Sequence, residues 1–300
     1  MTRLPPLFLL AAAALAAAWN AVDTRRDAVP SPRRAPPLRV VSISPSTTEC
    51  AFALGLGNRL VGVTASCDHP AEARALPKVG GPTADLERIV ALRPDLVIGN
   101  GRLVGKTLDR IAALGIPTWG SASRSLADLF SDLEGLAQAL GDAEAGRRLA
   151  GALRARGDRL RAALAEVPSD RRPRVLIEYW PDPLWTAGGG TSLDDAVALA
   201  GGRNAAASRL TGWGTVAWES VLAEPPDFFL LAHDNPEMCA RRPGWESLRA
   251  VREGRVIPVN RDHFARETPR MVEGIESLAK ILHPDQFQRR QVLQDHKQPP

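Results

Sequence analysis

Residues 86–98, LERIVALRPDLVI, and residues 218–231, WESVLAEPPDFFLL, are two versions of one short pattern. Each sets a Glu eight residues ahead of an Asp, with Val and Ala between them and a Pro just before the Asp. Glu87, Pro94 and Asp95 return as Glu219, Pro226 and Asp227, at a constant offset of 219 − 87 = 132 residues. In each copy the Glu starts a short helix, the Pro stops it, and the apolar run behind the Asp forms a core strand. A Glu near a helix N-terminus is favoured by the dipole anywhere, so a single copy carries little. Two copies in equivalent places predict two similar lobes. They also predict a surface with pseudo-twofold symmetry that presents two carboxylates, suited to a symmetric partner with paired basic residues.

Outward from these stretches, strand and helix alternate. RVVSIS from Arg39 is a β-branched run suited to a buried parallel strand. It feeds PSTTECAFALGLG, where Ser46 and Glu49 have capping-box spacing. RLVGVT is a second strand. Asp85 caps the helix of the first repeat, and DLVIG, IPTWG and their intervening helix follow. From Asp142 to Val167 the alternation stops, and Leu149, Leu153, Leu160, Leu164 and Val167 share one helical face. Twenty-six residues in one helix would span about 39 Å. Alternation then resumes with RVLIEYW, SLDDAVALAGG, WESVLAEPP, DFFLLA and GRVIPV, before a last helix at about 269–283. The pattern predicts two Rossmann-like α/β lobes, residues 39–141 and 169–284, joined by one long backbone helix at 142–168. Residues 285–300 form a polar tail.

The ends and the composition fit a secreted binder. The chain has 300 residues and a net charge of only +4, with its Arg excess scattered, which gives no focused nucleic-acid footprint. Residues 1–21 combine an early Arg3, an uncharged stretch from Leu4 to Trp19 and Ala-x-Ala endings, and read as an export signal or an uncleaved anchor. Residues 22–38 are rich in Pro and Arg and read as an extended tether. Cys50, Cys67 and Cys239 permit at most one internal bridge, for which Cys50 and Cys67 are the closer pair, or remain small buried thiols.

Enzyme motifs are missing. Gly55 and Gly57 end a helix instead of opening one, the reverse of a dinucleotide fingerprint. Gly188 to Gly190 precede a helix but lack a P-loop Lys, and read as a loop that approaches a ligand closely. No nucleophile elbow occurs. Asp194 and Asp195 are consecutive on a helix and cannot face one substrate together.

The order and spacing of RVVSISPSTTECAFALG, VGVTASCDHP, LERIVALRPDLVI, LDDAVALAGGRNAA, WESVLAEPPDFFLL and RDHFARETPR resemble the class III periplasmic substrate-binding proteins of ABC importers, in the cobalamin and ferric-siderophore branch. The likeness runs from about Arg39 to Pro284. It implies a monomer, peripheral to the membrane, that holds cargo between two lobes with little closure. It also implies that Glu87 and Glu219 dock onto arginines of a dimeric permease.

In a two-lobe α/β protein, cargo meets loops at the carboxyl ends of the strands. Those loops nominate Ser66 and Asp68 after the second strand, Trp180, Trp185 and Trp213 in the second lobe, and Asp262, His263, Phe264 and Arg266 in DHFAR. DHFAR resembles a stretch bordering the ligand in cobalamin-binding members. The tryptophans and Phe264 would face a flat macrocycle, and Arg266 would donate to it or be held by an Asp in its own loop. His69 or His263 could ligate a cargo metal; the five His residues show no short-spaced bare-metal cluster, although His69, Asp68 and His263 could converge across the cleft. No resident cofactor is expected; cobalamin or another metal chelate is cargo. Ser66 stands where a cobalamin-binding member has Tyr, and Gly80-Gly81-Pro82-Thr83 replaces its Trp loop. A ferric siderophore or haem is therefore the alternative cargo, and a secreted protein-binding scaffold the alternative class.

Overall fold

The computed structural model describes residues 38–81 and 83–288. The export signal or anchor, residues 22–37 of the tether and residues 289–300 of the tail lie outside the described residues. No helix among those described is long and apolar enough to cross a membrane.

The first sheet has four parallel strands in the order β2-β1-β3-β4: β1 Val40–Ser42, β2 Leu60–Val63, β3 Leu96–Asn100 and β4 Thr118–Ser121. Strand β3 is buried along its whole length, which is why it reads as a continuous apolar run. The second sheet repeats the order as β8-β5-β10-β11, with β5 Arg174–Glu178, β8 Arg203–Asn204, β10 Phe228–Leu231 and β11 Val256–Pro258. Even the register is shared. Val40 pairs with Leu96 in one lobe, and Val175 pairs with Phe228 in the other.

Helices cover both sheets: α1 Pro45–Ala53, α2 Leu86–Ala91, α3 Gly101–Ala113, α4 Leu126–Ala139, α5 Ala143–Ala163, α6 Ser192–Leu199, α7 Trp218–Ala223 and α8 Arg270–Leu282. Asp85 caps α2 as its position predicts, accepting the backbone N–H groups of Glu87 and Arg88. The capping box expected at Ser46 and Glu49 does not form. Ser44 is the N-cap residue of α1, and the Glu49 carboxylate is held instead by two distant arginines.

Helix α5 joins the lobes. It has 21 residues, about 32 Å, and is shorter than its sequence pattern implies because Leu164 already leaves the helix. Leu153, Leu160 and Leu164 are buried on the expected face. Near its start α5 runs so close to α4 that a Cβ on Gly146 would stand 2.7 Å from the Ala137 Cβ. Two further ties fix the lobes. The Leu126 N–H at the start of α4 donates to Asp195 at 2.9 Å, and Arg156 on α5 grips both oxygens of Glu276 on α8 at 2.8 and 2.9 Å. The Arg156 hydrogen bonds hold the Glu276 carboxyl below its ordinary range.

One element escapes the sequence pattern. β6 Trp180–Pro181, β7 Leu184–Ala187 and β9 Trp213–Thr215 form a separate antiparallel ribbon in the order β6-β7-β9. Pro181 and Pro183 break up its first arm, so YWPDPLW reads as a loop. Beside it, a Cβ on Gly188 would stand 1.8 Å from the Leu210 carbonyl oxygen, so this glycine admits the chain's own backbone, not a ligand.

Candidate functional site

The two repeated glutamates occupy matching positions. Glu87 and Glu219 are the second residues of α2 and α7, both six-residue helices, and both side chains are exposed. Neither carboxylate has an ion-pair partner among the described residues. The Asp of each repeat ties two strands at their starts. Asp95 accepts the Arg39 N–H at 2.8 Å, and Asp227 accepts the Arg174 N–H at 2.7 Å. Each arginine then reaches back to the end of the preceding short helix, Arg39 to the Leu92 carbonyl at 2.8 Å and Arg174 to that of Glu224 at 3.1 Å. Leu92 and Glu224 are again 224 − 92 = 132 residues apart.

The DHFAR loop meets the N-terminal lobe in an ion network. Arg266 bonds Glu49 at 2.6 Å, Asp68 at 2.9 Å and Asp262 at 3.3 Å. Arg270 holds Glu49 at 2.8 and 2.9 Å and lies 3.7 Å from Asp262. Burial raises the Asp68 carboxyl, but the hydrogen bond and charge of Arg266 outweigh it and hold the group below its ordinary range. Two cations thus face three carboxylates, and Arg266 is committed to bridging the lobes instead of reaching freely towards a ligand.

Phe264 is 3% exposed and packs in the main core, so it cannot present a face to cargo in this structure. His263 packs against Gly274 of α8. Ser66 is exposed, and His69 borders a hollow of about 290 Å³ beside Glu49 and Arg270.

The ribbon brings together three sequence candidates. Trp180 and Trp185 are directly paired across β6 and β7, which puts both side chains on one face of the ribbon. They are 47% and 41% exposed, large apolar groups left open to solvent. Trp213 is half-buried, edge-on to Tyr179 at 4.8 Å. Tyr179 is not among the sequence candidates, although it directly precedes Trp180. It is buried, and its hydroxyl has no hydrogen-bond partner among the described residues. Burial, and then the nearby Glu267, push its pKa well up. Burial also raises the Glu267 carboxyl, which accepts a hydrogen bond from Ser192 at 3.1 Å.

Beneath the ribbon, Glu178, His233 and Cys239 place donor atoms within 4.8 Å of one another. The set is a poor cation site. Arg242 already holds both Glu178 oxygens, at 2.6 and 3.0 Å. His233 Nδ1 accepts the Asn235 N–H at 3.1 Å, which leaves Nε2 to donate its proton to Glu178 at 3.0 Å. A metal-binding imidazole has the opposite arrangement, giving its second N–H away. The Cys239 thiol donates to Glu178 at 3.0 Å, and burial, then that neighbour, push it up to about 12. Cys50 and Cys67 are buried free thiols, so the bridge allowed by their spacing is not made.

A hollow of about 700 Å³ runs along α5 between α4 and α6, with Arg154, Arg161 and Arg172 among its lining. Volume alone does not make it the cargo site, because the strand ends and the tryptophan ribbon lie elsewhere.

Residues 40–262 match the model of a family described as periplasmic binding protein. The chain belongs to the periplasmic binding protein family. Its relatives agree with that membership. An uncharacterized ABC transporter substrate-binding lipoprotein of Bacillus subtilis is 30% identical over 84% of this chain and 82% of its own length. A vitamin B12-binding protein of Yersinia pestis is 33% identical over 81% of this chain and 86% of its own. Among solved structures, a periplasmic heme-binding protein from a Roseiflexus species superposes with a TM-score of 0.74 at 30% identity, over 84% of this chain and 100% of its own.

This periplasmic binding protein therefore has the class III architecture, two α/β lobes on one backbone helix. It is a substrate-binding component of an ABC importer, acting outside the cytoplasm, and not an enzyme. Substrate-binding proteins of this kind carry a small-molecule cargo to a permease.

Proposed function

We propose that this binding protein captures a cobalamin-type corrinoid against the Trp180–Trp185 face and delivers it to a dimeric permease that Glu87 and Glu219 engage. The pair of exposed tryptophans on one side of a short ribbon carries the reading. A wide apolar aromatic surface suits a flat macrocycle and is costly to leave in water for no purpose. A vitamin B12-binding relative at 33% identity supports this cargo, while a heme-binding neighbour at 30% keeps haem as the second reading. The ion network favours the first. With Arg266 and Arg270 neutralised by Glu49, Asp68 and Asp262, neither of these two cations is free for the carboxylates of haem, which would have to turn to Arg261 near Tyr179, whereas the amides of a corrinoid need none. An export signal or uncleaved anchor at 1–21 would bring the receptor to its place of work.

The test is calorimetric titration of protein beginning at Val29 with cyanocobalamin, haem and several ferric siderophores. One-to-one binding of cyanocobalamin alone is expected. In Trp180→Ala with Trp185→Ala, affinity should fall at least about tenfold, the worth of two aromatic contacts. Binding of haem or a siderophore alone would keep the importer and overturn the cargo.

A further inference from the structure

Trp218 opens α7, one residue before Glu219, and it touches a group that also touches the ribbon. The Arg242 guanidinium lies over the Trp218 ring, 4.9 Å from its centroid, and the Trp218 indole N–H donates to the Pro243 carbonyl at 2.7 Å. The same guanidinium donates to both oxygens of Glu178 and to the carbonyl of Pro181. Pro181 follows Trp180 in β6, and Glu178 ends β5 just before Tyr179. One planar cation thus contacts the helix that carries Glu219, the core strand and the ribbon that carries the exposed tryptophans.

The setting keeps this contact rigid. The Glu178 side chain is fully buried and that of Arg242 is 10% exposed, so water screens little of their attraction. His233 and Cys239 add two more hydrogen bonds to Glu178, which fix the orientation of the carboxylate. Nothing in the α/β frame demands a charge here. In the other lobe the equivalent strand continues into Ile43, which is buried in an apolar cluster.

We propose that Arg242 is a positioning residue that couples the Glu219 helix to the tryptophan ribbon. Seating Glu219 on a basic partner surface shifts α7, and Arg242 passes the shift to the wall that holds the cargo. The purpose of this coupling rests on the docking and cargo readings above; the physical tie does not. Coupling is reciprocal, so cargo bound at the ribbon must register at α7.

Hydrogen–deuterium exchange on the purified protein, with cyanocobalamin as the probe, tests this without any permease. In the wild type, cyanocobalamin should slow exchange at residues 179–187 and also at 218–223, by about threefold or more. In Arg242→Lys, which keeps the charge but not the fork, and in Trp218→Leu, which leaves the buried pair intact, cargo affinity should stay within about threefold. Protection at 179–187 should also remain, while protection at 218–223 disappears. A residue that merely braced the fold would not make α7 respond to cargo. Protection of α7 that persists in both variants, or is missing from the wild type while the ribbon is protected, overturns the proposal. If cyanocobalamin does not bind, the cargo reading has failed and haem replaces it as the probe. If neither binds, the tie is read from cargo-free protein. Trp218→Leu must then speed exchange at 179–187 by about threefold, and unchanged exchange there refutes it.

Discussion

The two lobes share a frame down to single hydrogen bonds and then part at one buried position. In both, an Asp after a Pro clamps the start of the central strand, and an Arg reaches back to the same place on the preceding short helix. At the same place along the central strand, the N-terminal lobe continues with Ile43 and the C-terminal lobe ends its strand with Glu178. A buried ion pair is seldom worth more than the apolar residues that would replace it. The frame teaches what the fold needs twice; the Glu178 cluster marks what one lobe needs alone.

The comparison breaks most severely where the charge is left unpaired. Glu178→Ile alone strands Arg242, and Ile43→Glu puts a carboxylate into an apolar cluster. Each should cost about 3–5 kcal/mol by urea denaturation. Combining Glu178→Ile with Arg242→Met should recover most of that loss, because the other lobe is stable with an aliphatic side chain at this position. Failure of the double variant to recover would mean that the cluster is structurally required.

The shared clamps give a smaller and symmetric effect. Asp95→Ala and Asp227→Ala should each cost about 1.5–3 kcal/mol, the worth of a hydrogen bond to a charged group. Thermal melting of the two variants should agree closely. A large inequality would mean that the lobes do not use the repeat in the same way.

The smallest effect is absent at neutral pH. The folded state holds the Cys239 thiol at about 12, above its ordinary 9.0. A group raised in this way contributes fully below the unfolded value and loses that contribution as pH climbs through the folded one. Stability should therefore sag above about pH 9 in the wild type and sag less in Cys239→Ala, as alkaline denaturation would show. Iodoacetamide at pH 8 should leave this thiol unmodified in folded protein.

Much of this frame is legible in the sequence because it rests on local signals. β-Branched runs mark the parallel strands, Pro94 and Pro226 end the short helices, and Asp85 caps as its position dictates. The candidate site was only partly legible, because its contacts join distant residues. Glu49 has capping-box spacing within α1, yet its partners lie 217 and 221 residues away. Phe264 has the look of a lining residue, but the short helix Asp262–Ala265 turns it into the core against α8. The ribbon was hidden by its prolines and by a first strand of two residues, although the tryptophans it carries were visible. Arg242 had no signal at all, since its three partners come together only through the fold.

The central claim is that Glu87 and Glu219 serve docking and not the cargo or the fold. Cellular uptake and cargo affinity, measured side by side in Glu87→Lys, Glu219→Lys and the double reversal, test it most directly. The account predicts reduced uptake in each single variant, abolished uptake in the double one, and affinity within about twofold of wild type throughout. Affinity that collapses together with uptake would contradict it.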